Sequence, residues 1–245
     1  MNTYFDHTYT ADTNFKFMKR LKRLGFNLDA NKVEHPHSKC RFITFDNSQY
    51  LEFIHPIGNT GHYDRPGISF GYKGSLKRFY DKKVKQGAEL SFFHRNYQWK
   101  ENSKYILPGW NFVQFKRTGI RTIFMWLTEY ELINGKKRPT KKANHPNGVN
   151  RIVGHEFVIN SKGRKIFELI TGKKFKDKIE FSNGVVFYFT EGRTNLHKSV
   201  ILKSSNAEKT KKYIKAIRFD YRGQQAVRIL NTCLKKRMWD IIVIL

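Results

Sequence analysis

Hydrophobic and polar positions along this chain alternate with a period of two, shift to a period near 3.6, and return to two, and this cycle occurs four times. The first cycle opens at residues 4–10, where Phe5, His7 and Tyr9 share one face of a predicted strand. Asp12 or Thr13 then stands where a helix N-cap belongs. Phe17, Met18, Leu21 and Leu24 follow at helical spacing, Lys16, Lys19, Arg20, Lys22 and Arg23 fill the other face, and Gly25 suits a left-handed C-terminus. Strands are predicted at 26–33, 40–45 and 49–55, the last two joined by an Asp46-Asn47-Ser48 turn. The second cycle has a strand at 68–72, Ser75 as cap, and Leu76, Phe79, Tyr80 and Val84 on a helix ended by Gly87. Strands near 90–99, 110–117 and 121–130 complete it.

The third cycle starts at 151–159, with Ser161 as cap, Ile166, Leu169 and Ile170 on the helix, Gly172 after it, and only two strands, at 178–181 and 185–189. The fourth starts at 199–202, with Asn206 as cap, Glu208 in the first helical turn, and Tyr213 and Ile214 facing inward. Strands at 216–221, 226–230 and 238–245 follow. Four strand-helix-strand units in 245 residues are an internal repeat. Residues 134–150, rich in Pro, Gly and Asn, break both periods. The division expected is therefore a first domain of two units at 1–133, a basic linker at 134–150, and a second, more degenerate domain at 151–245.

Composition narrows the class. With 39% hydrophobic and 15% aromatic residues the chain can bury a core and is not a disordered polyelectrolyte. No apolar run approaches the ~18 residues that span a bilayer, and the polar N-terminus has no apolar segment of a secretory signal. Cys40 and Cys233 make no disulfide framework, so the expected compartment is the reducing cytoplasm. Lys39 and Arg41 flank Cys40, a setting that lowers a thiol pKa when the thiol is exposed to it. Against 20 acidic residues stand 47 Lys and Arg, a formal net charge of +27. A field of that size attracts anionic small molecules and polyanions, or serves solubility alone. Basic and aromatic residues interleave at 94–104 and 209–222, the composition of a single-stranded nucleic-acid surface, but no recognised nucleic-acid motif is present. Phosphate-loop and nucleophile-elbow motifs are absent from the sequence.

Two stretches carry a family resemblance. Asp6-His7 opens the first strand, Gly25-Phe26 closes the first helix, His35-Pro36 forms a loop, and Tyr50-Leu51-Glu52 ends a strand. Later, the aromatic-rich segment IFMWLTEY precedes His145-Pro146-Asn147-Gly148, which leads into the second half. In order and spacing these resemble the glyoxalase-like domain family of the vicinal oxygen chelate superfamily. The resemblance implies an α+β fold of paired βαβββ units forming cupped mixed sheets with helices on the outer face. It also implies a divalent metal (Mn, Fe, Zn or Ni) in the cup, held by a His from the first strand, a Glu from the last strand of that unit, and two ligands from the paired unit. His7 and Glu52 match the first pair, with Glu52 also the candidate catalytic base. Tyr50, Phe124 and Trp126 are candidate ligand-binding residues. Alternation independently puts Tyr50, Glu52 and Ile54 on one face, where a buried carboxylate needs a partner.

The paired unit departs from that pattern. Counting from the helix cap puts Ser69 opposite His7, and counting from the turn puts Phe124 opposite Glu52. His55, His62 and Glu129 are the remaining candidates to complete a metal site, and His155, with Glu180 or Glu191, is an echo in the second half. The expected function is a glyoxalase-like protein binding a small anionic molecule in the first cup, with or without a metal acting as Lewis acid. Any enzyme activity would be of metal-dependent lyase or dioxygenase type. The competing expectation is a non-enzymatic basic module for nucleic acid or an acidic protein.

Overall fold

The computed structural model describes residues 2–30, 32–35, 37–58, 65–95, 109–115, 122–131, 143–231 and 238–245. The first half supplies β1 (Thr3–Ala11), α1 (Lys16–Arg23), β2 (Lys32–His35), β3 (Ser38–Thr44) and β4 (Tyr50–Pro56). It continues with β5 (Gly67–Tyr72), α2 (Leu76–Lys85), β6 (Leu90–Arg95), β7 (Trp110–Phe115) and β8 (Phe124–Tyr130). The second half supplies β9 (Val149–Ile159), α3 (Ser161–Thr171), β10 (Lys178–Glu180) and β11 (Val186–Glu191). β12 (Leu196–Ser204), α4 (Ala207–Tyr213), β13 (Arg218–Tyr221), β14 (Gln224–Ile229) and β15 (Asp240–Ile244) follow.

These strands form two mixed sheets. One has eight strands in the order β2-β3-β4-β1-β5-β8-β7-β6, the other seven in the order β10-β11-β9-β12-β15-β14-β13. In each, the two units join through their first strands: β1 pairs antiparallel with β5, and β9 with β12. Each first strand also pairs in parallel with the last strand of its own unit, β1 with β4 and β9 with β11. The α+β class that the resemblance implies and the four-unit organisation expected from periodicity are what the chain adopts. No helix among the described residues is long and apolar enough to cross a membrane.

Local chemistry explains the helix ends. The Asp12 carboxylate accepts from the backbone N–H groups of Phe17 and Met18 at 3.0 and 2.8 Å, so Asp12 rather than Thr13 caps α1. Ser75 caps α2 by accepting from Arg78 N–H, and Asn206 caps α4 by accepting from Lys209 N–H. The cap of α3 is Asn160, one residue before the expected Ser161, because the Asn160 amide oxygen reaches the Gly163 N–H at 2.9 Å. Of the two residues at the end of α4 expected to face inward, Ile214 is buried and Tyr213 stands 39% exposed.

The helix-bearing faces of the two sheets meet in one continuous core. Phe5, Phe17, Leu21, Phe53 and Phe70 belong to it from the first half, and Phe157, Phe167, Phe187 and Trp239 from the second. Phe5 packs 4.5 Å from the His155 ring and 5.9 Å from Phe187, while Trp239 Nε1 donates to the Tyr9 carbonyl at 3.2 Å. Residues 134–142 of the expected linker lie outside the described residues, but the rest of it is packed. His145 Nδ1 accepts from Asn27 N–H, the Asn147 amide donates to Leu24 O, and residues 149–150 already belong to β9. Meeting on one face leaves each sheet its opposite face, the cup side, with a separate smaller cluster of side chains.

Candidate functional site

A β-bulge builds the first cup. Phe5 pairs with Phe70 and His7 with Ser69, so β1 holds one extra residue, Asp6, between them. Because Ser69 and Phe70 face opposite ways, the bulge sends Phe5 into the core and His7 into the cup. Strict alternation, which put Phe5, His7 and Tyr9 together, fails at this one residue. Beyond the bulge the pleat is regular. On β4, Leu51 and Phe53 enter the core, while Tyr50, Glu52 and Ile54 turn to the cup side.

The structure brings His7 and Glu52 together: His7 Nε2 lies 3.6 Å from Glu52 Oε2. Behind the imidazole, Asp6 Oδ2 is 2.6 Å from His7 Nδ1. Tyr130 donates to that same Asp6 oxygen at 2.8 Å and lies 3.3 Å, hydroxyl to hydroxyl, from Tyr50. Tyr50 stacks flat on His7 with ring centroids 4.2 Å apart, and Trp126 meets His7 edge-on at 5.3 Å. Burial holds the Glu52 carboxyl above the ordinary carboxylate range, against the opposing pull of His7 and a hydrogen bond with Cys40. The Cys40 thiol is pushed up, first by burial and then by Glu52, and the neighbouring Arg41 does not reverse this. Cys40 is therefore a buried thiol on the cup wall with no lowered pKa.

Aromatic rings make the walls. Tyr9 lies 5.7 Å from Trp126 and 6.4 Å from Phe124, and Phe124 lies 5.1 Å from Trp126. Phe42 meets Tyr50 edge-on, and Phe93 stacks on Phe112 at 4.8 Å on the neighbouring strands. The Arg65 guanidinium sits 5.5 Å over the Phe124 ring. Room for these rings comes from Gly67, Ser69 and Gly71 on β5: a Cβ at Gly67 would stand 1.9 Å from the Tyr9 ring, and one at Gly71 2.0 Å from Tyr4. Of the three named ligand-binding candidates, Tyr50 and Trp126 touch His7, and Phe124 stands one ring further out, against Trp126 and Tyr9.

Strand register corrects the turn count for the paired unit. His7 is opposite Ser69, so the two units are related about that pair. Tyr50 pairs with His7 and Trp126 with Ser69. Two residues along each strand, the counterpart of Glu52 is Thr128 rather than Phe124. Ser69 and Thr128 are buried and share a hydroxyl–hydroxyl hydrogen bond of 2.8 Å. An acid–imidazole pair on one side of the cup thus faces a neutral hydroxyl pair on the other.

That donor set does not fit a metal centre. Mn, Fe, Zn and Ni sites are built from carboxylate, imidazole and thiolate ligands, and a buried, mutually bonded Ser–Thr pair supplies none of these. Among the described residues no three His, Cys, Asp or Glu side chains converge as a metal-holding group. His55 accepts from Asn14 N–H outside the cup, and Glu129 accepts from Leu76 N–H at the start of α2. His62 lies outside the described residues.

Sequence reasoning missed Asp6, Tyr130 and Thr128. Asp6 enters the sequence reading only beside His7 as part of the resemblance, and the signal for Thr128 is the register of β5 with β8, which turn counting does not give. In the second cup the corresponding residue is Glu156, opposite Ser199, and His155 points into the core instead. Glu180 and Glu191 are exposed and do not approach it. This cup is filled by its own side chains. Ile201, Ile242, Ile244 and Tyr221 pack together there, Tyr221 donates to Glu156 at 2.9 Å, and the Arg222 guanidinium covers the Tyr188 ring at 3.9 Å.

No family model and no curated protein matches this sequence. Solved structures do match in fold. A hypothetical protein from Staphylococcus aureus superposes with a TM-score of 0.59 at 11% identity, covering 99% of this chain and all of that one. A catechol 2,3-dioxygenase superposes at 0.54 with 9% identity, covering 98% of this chain and 92% of the other. A fusion protein of a xylose isomerase-like TIM barrel with a 4-hydroxyphenylpyruvate dioxygenase matches at 0.55 with 9% identity over 99% of this chain and 49% of its own length. The fold is the vicinal oxygen chelate fold, in two domains, over nearly the whole chain.

Proposed function

We propose that this protein, built on the vicinal oxygen chelate fold, binds a small anionic molecule in the cup of its first sheet. The observation that carries the reading is the His7–Glu52 pair, 3.6 Å apart within a ring of Tyr9, Tyr50, Phe124 and Trp126. A concave, aromatic-walled site with few convergent polar groups is the usual form of a small-molecule site. The aromatic walls favour a planar or apolar body, and His7 and Glu52 supply hydrogen bonds that orient one oxygen of it. Arg65 at the Phe124 wall and the overall charge of +27 favour an anionic substituent. Glu52 is the candidate acid–base group, since a carboxyl raised by burial exchanges a proton more readily near neutral pH. No metal enters this reading.

The test is a screen of small aromatic and aliphatic carboxylates by saturation-transfer NMR. It uses wild type, Glu52→Gln and Trp126→Leu in parallel, with EDTA throughout. A carboxylate whose affinity falls tenfold or more in both variants, and does not depend on metal, supports the reading. Equal binding by all three proteins, or binding that appears only when divalent metal is restored, would overturn it.

A further inference from the structure

The basic helices α1 and α4, far apart in sequence, meet at their C-terminal ends. The apolar side of α1, Phe17, Met18 and Leu21, is buried in the core. Its exposed side carries Lys16, Lys19, Lys22 and Arg23, and the helix contains no acidic residue. None of these four has a carboxylate partner among the described residues. The C-terminal end of α1 abuts that of α4: a Cβ at Gly25 would lie 2.8 Å from the Tyr213 ring. Asn147 fastens the two, donating to Leu24 O and accepting from the Thr210 hydroxyl through its carbonyl. On α4 and just beyond it, Lys209, Lys212, Lys215 and Arg218 are exposed. Glu208, the acid of α4, is occupied by Lys211 at 2.6 Å. Tyr213, the last residue of α4, is 39% exposed against the end of α1, and Ile217, four residues on, is 89% exposed.

We propose that this α1–α4 face is a docking surface for single-stranded nucleic acid. Lysines and an arginine without acid partners suit phosphates, and an exposed aromatic ring among them suits base stacking. An anionic membrane is the less favoured occupant, because the apolar side of α1 is buried in the core and leaves only Ile217 and part of Tyr213 for this face to insert. The surface lies outside the cup and does not depend on what the cup binds.

The experiment is fluorescence anisotropy with a labelled oligothymidylate of about 20 nucleotides over a salt series. Three triple variants are compared with wild type: Lys19→Gln/Lys22→Gln/Arg23→Gln, Lys209→Gln/Lys212→Gln/Lys215→Gln, and Lys82→Gln/Lys83→Gln/Lys85→Gln on α2 as the control. Glutamine keeps helix propensity close to that of lysine. Each of the first two triples should weaken binding roughly tenfold and flatten the log–log salt slope by about 2, three contacts at ~0.7 each. The α2 triple should leave both unchanged. Tyr213→Leu should weaken binding without altering the slope, and Tyr213→Phe should restore it. Equal losses from all three triples would mean a diffuse field and overturn the proposal. So would absence of oligonucleotide binding by wild type, or binding of phosphatidylserine vesicles, but not the oligonucleotide, through the same residues.

Discussion

At the scale of single residues, the cup depends as much on absent side chains as on present ones. Gly67 exists to let the Tyr9 ring cross β5, so Gly67→Ala should push Tyr9 out of the wall. Overpacking of this kind costs about 1–3 kcal/mol. A thermal melt should register the loss, and a Tyr9→Ala/Gly67→Ala double variant should recover part of it; strictly additive losses would refute the contact. The Glu52→Gln substitution separates two roles. If Glu52 only accepts hydrogen bonds, the amide should cost little stability, and Glu52→Ala ~1–3 kcal/mol for its abandoned partners. If Glu52 moves a proton, Gln should keep the fold and remove the chemistry.

At the scale of elements, caps and bulges decide what the side chains do. Removing the α1 cap by Asp12→Ala should cost about 1–2 kcal/mol, and Asp12→Asn a sizeable part of that, since the amide keeps one acceptor oxygen and turns a donor on the other backbone N–H, read as shifts of the urea midpoint. Elements with strong periodicity were legible in the sequence. β4, α2, α4 and β15 lie close to where the patterns put them, and β12 extends the expected 199–202 at both ends, because each carries a periodic or continuous apolar run. The expected strand at 26–33 was illegible: only Lys32–His35 pairs, since Phe26 belongs to the core under α1 and the chain must turn before it reaches β3. His7 and Glu52 were legible as partners because the resemblance and the alternation on β4 agreed. Thr128 was not, because residue counts from a turn measure loop length and not register. Phe5 was assigned to the wrong face for a related reason, since a bulge leaves no mark in hydrophobic alternation. The same bulge gives Asp6 its place behind His7, so the irregularity and the site are one feature.

At the scale of the whole molecule, acid should loosen the join between the sheets. His155 and His197 are fully buried there, with Nδ1 of the first 3.0 Å from Nε2 of the second. Burial holds His155 well below the ordinary histidine range, helped by His197, and lowers His197 to about 3. His145, at the entry to the second half, is lowered to about 4, again chiefly by burial. Unfolded histidines titrate near ~6.5, so the unfolded chain gains protons that the folded one refuses. Stability from these groups is complete above pH ~6.5 and drains away as pH falls toward their folded values. The melting temperature should therefore drop between pH 6.5 and 4, and a His155→Phe/His197→Leu variant should drop less; parallel curves would exclude the pair as the cause.

The hydrogen bond from Trp239 to the Tyr9 carbonyl joins positions 230 residues apart, and β15, which follows Trp239, pairs between β12 and β14 in the middle of its sheet. On the ribosome, then, the second sheet cannot close between β12 and β14 until β15, which follows both in the chain, has been made. Until that moment β12 and β14 have an open gap between them, and the core under Phe17 lacks its indole. Topologies dominated by such distant pairings fold slowly and expose strand edges while they do. A partly synthesised chain therefore offers two open edges, at β12 and β14, to pairing with other chains until β15 fills the gap.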